Sequence, residues 1–213
     1  TPRPFGSETW PACIDAETST AITALPRRVV TFTASPDWTP SVCASPGLIH
    51  VDMSTISPAI ARDVARRLGE RGVAMLDAPV SGGVAAAKTA SLTIFVGGDQ
   101  AVFERTRPLL ACLGKAIFHM GPSGTGQVTK LANQIAQLAC LQGAAEALLF
   151  AREQGADAAK VREAVMTGYG ASRMLDVLGK KMVERDFAAG IVAALHHKDI
   201  GIALEIAHET GLA

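Results

Sequence analysis

A glycine-rich turn, Gly121-Pro122-Ser123-Gly124-Thr125-Gly126, divides the chain into two patterns and so limits the folds open to it. Before the turn, short apolar runs alternate with helix-patterned stretches. After it only helical patterns remain. Leu48–Met53, Val73–Val80, Leu92–Val96 and Ala116–Met120 read as strands. One helix runs from Ser57-Pro58 to about Arg71, with Ser57 as N-cap, Pro58 at the first helical position and Gly72 at the end. A second runs from about Gln100 to Leu113. Strands alternating with helices imply an open sheet with helices on its faces.

Beyond Gly126 the spacing predicts one long helix from Gln127 to about Gln154, then helices over Ala158–Met166, Ser172–Val183 and Ala193–Glu209. Val128, Leu131, Ile135, Leu138 and Leu141 keep helical spacing, which marks them as an apolar face. The fold class is therefore α/β followed by all-α, with one long central helix. Seven prolines from Pro2 to Pro46 interrupt the start of the chain, where only Arg28–Thr33 has a strand pattern.

Charge and composition exclude several functions. Twenty basic and twenty acidic residues in 213 cancel, so no dominant field favours nucleic acid or an anionic membrane. No run approaches the roughly 20 apolar residues of a bilayer span. Cys13, Cys43, Cys112 and Cys140 form no C-x-x-C pair and read as reduced, packed thiols of a cytoplasmic protein. The chain starts at Thr1 without a basic and apolar leader, which predicts no targeting segment. It stops at Ala213 directly after a helical pattern, as a piece of a longer protein would.

Four segments carry chemistry. The glycine turn has Gly121 and Gly126 at P-loop spacing, but Gln127 and Val128 stand where Lys and Ser/Thr belong, so it does not grip phosphate in that way. Its glycines are also wrongly spaced for G-x-G-x-x-G. It is expected to swing the chain into the long helix and let a ligand approach the helix N-terminus. Lys130 lies one turn into that helix, with Asn133, Gln134 and Gln137 on the same face and no carboxylate before Glu146. Spacing alone leaves two readings: a desolvated lysine suited to acid–base work, or one that snorkels to water over a structural amide face. Ser81-Gly82-Gly83 follows a strand and is either an anion-binding nest or an ordinary turn. Lys198-Asp199 can be a solvated pair; the neighbouring His196 and His197 point about 100° apart on a helix and do not chelate together.

Together these segments resemble the β-hydroxyacid dehydrogenase family, over about Leu48 to Ala213. Asp52-Met53-Ser54-Thr55-Ile56-Ser57-Pro58 is similar to the family's cofactor-side strand end. Asp77-Ala78-Pro79-Val80-Ser81-Gly82-Gly83 is similar to its substrate-binding signature, with Leu92–Gly98 following. Gly121, Gly124, Gly126, Gln127, Lys130 and Asn133 are spaced as in its catalytic motif, and Lys198-Asp199 resembles its late cofactor-contacting pair.

The resemblance implies a partial NAD(P)-binding Rossmann-like domain over residues 1–121 and a helical substrate and oligomerisation domain over 122–213. It implies NAD or NADP as cofactor and a small carboxylate substrate, a β-hydroxyacid or its semialdehyde, between the two. It assigns Lys130 to acid–base catalysis, and Ser81, Gly82 and Gly83 to the substrate carboxylate. Thr55 and Lys198 fall to the cofactor. Gln134 stands where the family usually has Asn; its longer arm leaves Asn133 and Gln134 as competitors for the amide beside the substrate. A homo-oligomer formed through the helical domain is expected. An imine reductase of the same architecture does not usually keep the lysine found at Lys130. The alternative of another class is a non-catalytic remnant that serves as an oligomerisation or binding module.

The family's pyrophosphate rests on a first glycine turn and helix N-terminus, and this sequence contains no G-x-G-x-x-G. The 213-residue chain by itself is therefore expected to bind NAD(P) weakly and not to turn over, because Thr55 and Lys198 offer too few contacts to offset immobilising a dinucleotide. Calorimetric titration with NADH and NADPH checks this; a dissociation constant in the low micromolar range would contradict it.

Overall fold

A computed structural model describes residues 29–32, 46–188, 190 and 193–212. Cys13, Cys43 and most of the proline-punctuated start lie outside the described residues. The strands are β1 (Val29–Phe32), β2 (Ile49–Asp52), β3 (Ala74–Asp77), β4 (Val80–Ser81), β5 (Leu92–Gly97) and β6 (Gly114–Gly121). Helix α1 (Pro58–Gly69) follows β2, α2 (Gly83–Lys88) follows β4 and α3 (Gln100–Ala111) lies between β5 and β6. Then come α4 (Thr125–Glu153), α5 (Ala158–Val165), a π-helical turn (Leu175–Gly179), α6 (Lys180–Glu184) and α7 (Ala193–Thr210).

The sheet has the order β1-β2-β3-β5-β4, with β6 on the other edge of β5. β1, β2 and β3 run parallel, as do β5 and β6. β5 runs antiparallel to β3 and β4, a feature the alternating pattern did not reveal. The connection from β3 to β5 holds β4, which pairs antiparallel with β5, and the six-residue α2 between them, so β4 and β5 form a local antiparallel pair instead of a helical crossover to a parallel strand. Helix α2 was not expected. Its Val-Ala-Ala-Ala-Lys run suits a helix but spans too few turns to show periodicity.

The core forms where both faces of the sheet are covered. Ile49, Val51, Leu76, Leu92, Ile94 and Val96 pack with Phe103 and Leu110 of α3, while Leu68 of α1 covers Leu48, Val73 and Met75. Ser57 caps α1, its hydroxyl accepting from the Ala59 N–H at 3.3 Å, and Pro58 occupies the first turn. The helical region has its own centre at Ala144, Leu148 and Leu175. There the expected helix over 172–183 contains the π turn, because Arg162 reaches into it and donates to the carbonyls of Leu175 (3.0 Å) and Asp176 (2.6 Å).

The first turns of α4 bury only part of the expected apolar set. Val128 and Ile135 of the apolar set are exposed, while Gln127, Lys130 and Gln134 are buried beside Leu131. These polar groups go inside because each finds a hydrogen-bond partner there. Cys140, on the same helix, is exposed rather than packed.

Asp77 fixes the start of α4. Its carboxylate oxygens accept from the Gly124 N–H at 2.7 Å and the Gln127 N–H at 3.0 Å, each oxygen serving one donor. Two of the N–H groups at this helix N-terminus are therefore taken by the chain's own carboxylate. The approach is so close that a Cβ on Gly126 would lie 2.5 Å from the Phe95 carbonyl oxygen. Burial pushes the Asp77 carboxyl above its ordinary range, and the two backbone N–H groups pull it back. Asp77→Asn keeps the shape but turns an NH₂ toward one backbone donor. It should lower unfolding free energy by about 1–3 kcal/mol, measured by denaturant titration; unchanged stability would show that the clamp is dispensable.

Candidate active site

The C-terminal ends of parallel β2 and β3 meet the first turns of α4, which is where open α/β sheets place ligands. After β2 the chain turns at Asp52, whose Oδ1 accepts from the N–H (3.0 Å) and hydroxyl (2.5 Å) of Ser54. Gln127, fully buried, then holds the following residues against α4. Its Oε1 accepts from the Ile56 N–H at 3.1 Å and its Nε2 donates to the Ser54 carbonyl at 2.9 Å.

Lys130 is one turn further along, 9% exposed, and donates from Nζ to Gln134 Oε1 at 2.9 Å. It does not snorkel. Burial pushes its pKa below the ordinary lysine value; the Asp199 carboxylate opposes that shift and the Lys198 ammonium adds to it. The sequence showed no carboxylate near Lys130 because Asp199 arrives from α7. Asp199 is buried, which removes the reading of Lys198-Asp199 as a solvated pair.

Gln134 joins the two helices. Its Nε2 donates to Asp199 Oδ2 at 2.7 Å and lies 3.4 Å from His196 Nδ1, and its Oε1 also accepts from Asn133 Nδ2 at 3.1 Å. Lys198 reaches back across the structure and donates to the Thr55 carbonyl at 2.5 Å. Its ammonium is also 3.0 Å from Asp199 Oδ1, but off the direction of a hydrogen bond, so that buried oxygen has no hydrogen-bond partner among the described residues.

Thr55, Lys130, Asn133, Gln134 and Lys198 thus fall into one connected group. Ser81, Gly82 and Gly83 stand apart from it, with no hydrogen bond to it among the described residues. Ser81 ends β4, and Gly82 and Gly83 have φ of 128° and 65° at the start of α2. Both are positive-φ conformations that glycine adopts without strain, so the turn needs glycine at both positions. No cluster of three or more His, Cys, Asp or Glu side chains able to hold a metal occurs among the described residues. No helix among them is long and apolar enough to cross a membrane.

Sequence reading set Asp77, Gln127 and Asp199 within motifs without giving them roles of their own, and noted His196 only to set metal chelation aside. One signal was present: Gln127, Lys130 and Gln134 recur at helical spacing as a polar stripe, which makes sense in a buried helix only if partners wait opposite.

Residues 16–121 match the family described as the NAD binding domain of 6-phosphogluconate dehydrogenase. Residues 124–213 match the one described as NAD-binding of NADP-dependent 3-hydroxyisobutyrate dehydrogenase. The chain is 48% identical over 166 residues to 2-hydroxy-3-oxopropionate reductase of Escherichia coli (strain K12), covering 78% of this chain and 57% of that protein. It is 40% identical over 167 residues to a probable 3-hydroxyisobutyrate dehydrogenase-like protein of Arabidopsis thaliana, covering 78% of this chain and 50% of that one. A structure of 3-hydroxyisobutyrate dehydrogenase with L-serine from Mycobacterium tuberculosis matches with a TM-score of 0.73 at 32% identity, covering 78% of this chain and 60% of that one. The chain therefore spans little more than half the length of these relatives.

Proposed function

The chain belongs to the β-hydroxyacid dehydrogenase family, and on that premise we propose that the whole protein interconverts a small β-hydroxyacid and its semialdehyde with NAD or NADP. The observation that carries this reading is the buried Lys130, with a pKa pushed below the ordinary lysine value. We divide the chain at the glycine turn, with residues 1–121 serving the cofactor and 122–213 the substrate and assembly.

The residues present fit a dinucleotide's reactive end. Thr55 lies just beyond the C-terminal end of β2, the Lys198 ammonium meets its carbonyl, and a buried Asp199 oxygen beside that ammonium has no hydrogen-bond partner among the described residues. Bound NAD or NADP supplies the group that accepts or returns hydride. In oxidation, neutral Lys130 takes the hydroxyl proton as hydride leaves the carbon; in reduction, its ammonium returns that proton to the carbonyl oxygen. The Ser81 hydroxyl and the N–H groups of Gly82 and Gly83 orient the carboxylate. Asn133, half-buried and donating once to Gln134, is the amide left to the substrate. 2-Hydroxy-3-oxopropionate, reduced at its aldehyde to glycerate, has the carboxylate and reacting oxygen this arrangement requires.

Val128, Ile135 and Phe150 of α4 and Leu195 and Leu204 of α7 are exposed in these 213 residues, an apolar surface for the remainder of the full-length chain and a second copy to cover, and our reading is a homo-oligomer through the helical region. The full-length protein should run at twice the mass of one chain or more at micromolar concentration; a monomer would contradict this.

Lys130→Ala in the full-length protein should lower turnover by about 10² to 10⁴ and leave cofactor affinity nearly unchanged. With the wild type, glycerate oxidation should rise with pH as Lys130 loses its proton, and aldehyde reduction should fall through the same range, below the ordinary lysine value. Turnover of the variant within a factor of about two of the wild type would remove Lys130 from the chemistry.

A further inference from the structure

Gln134 is 3% exposed, and its side-chain amide is committed within the protein at both ends. Oε1 accepts from Lys130 Nζ at 2.9 Å and from Asn133 Nδ2 at 3.1 Å. Nε2 donates to Asp199 Oδ2 at 2.7 Å, and its second hydrogen has His196 Nδ1 at 3.4 Å. The orientation of the amide is forced. Reversed, it would set NH₂ against the Lys130 and Asn133 donors and a carbonyl against the Asp199 carboxylate. With two lone pairs and two hydrogens so placed, Gln134 has nothing left with which to hold a substrate.

We propose that Gln134 is a positioning residue and not a substrate ligand: it fastens Lys130 to Asp199 and His196 of α7, and so fixes where the Lys130 amine sits and which charges surround it. This rests on the reading of Lys130 as the acid–base group. The arm length is part of the device. An Asn at this position is shorter by one carbon–carbon bond, about 1.5 Å, and does not reach Lys130 and Asp199 together without a helix moving. The charged groups acting on Lys130 are Asp199 and Lys198, both from α7, with opposite effects. The same contacts fix the His196 tautomer. Because Gln134 Nε2 can only donate, Nδ1 must accept, and the neutral ring carries its proton on Nε2.

Gln134→Asn and Asp199→Asn in the full-length protein, assayed with glycerate and cofactor across pH, test the proposal. Gln134→Asn should lower kcat on the order of 10- to 100-fold through misplacement of the amine. KM for glycerate should stay within about two-fold of the wild type. Asp199→Asn removes the charge that favours the ammonium, so the pH limb of oxidation should move to lower pH. An increase in KM of about tenfold for Gln134→Asn, with the limb of Asp199→Asn unmoved, would overturn the proposal by placing Gln134 on the substrate. A readout that needs neither variant is the Gln134 side-chain amide in wild-type protein. Its NH₂ protons should be protected from exchange without substrate, and free exchange would equally overturn the proposal. An active Lys130→Ala protein would defeat the acid–base reading and leave these amide signals as they are.

Discussion

The Asp77 carboxylate determines where the long helix begins, and everything at the site is measured from that point. It takes the N–H groups of Gly124 and Gln127 at the end of β3, so the first turn of α4 is tied to the C-terminal edge of the sheet. Gln127, in that same turn, carries the loop of residues 54–56. One further turn presents Lys130, and the next presents Gln134. A shift of the first turn would displace all three, because a helix transmits position rigidly along its length.

Burial of the polar stripe is the second element of the account. A lysine taken out of water loses affinity for its proton, and the arrangement around Lys130 tunes that loss without cancelling it. Asp199 is close enough to favour the ammonium, yet the direct contact of Lys130 is the neutral oxygen of Gln134. An ion pair in that place would hold the proton more firmly. An amide between lysine and carboxylate leaves the amine able to give and take a proton nearer neutral pH, which general acid–base chemistry favours.

The alternation of strands and helices was legible in the sequence because periodicity is local. So was the Ser57-Pro58 start of α1, whereas spacing left Lys130 open between a buried and a snorkelling reading. What escaped is long-range. Asp77 meets partners 47 and 50 residues away, and Gln134 meets Asp199 across 65. Rules of apolar spacing pointed to Val128 and Ile135 as the buried face of α4. They fail there because satisfied polar groups compete with apolar ones for the interior, and the satisfying groups come from distant parts of the chain. The antiparallel entry of β5 was hidden for a different reason. The pattern of a strand does not state its direction, and α2 was too short to be seen.

The most direct measurement is the pH dependence of acylation of Lys130 itself, followed site by site by mass spectrometry in the native full-length protein, since only the neutral amine reacts. The account predicts that its rate reaches half-maximum at a pH below that of the exposed lysines in the same sample, after correction for its lower accessibility, and that Asp199→Asn lowers that pH further. A Lys130 that titrates with the exposed lysines or above them would contradict the claim that burial at this site prepares it for proton transfer.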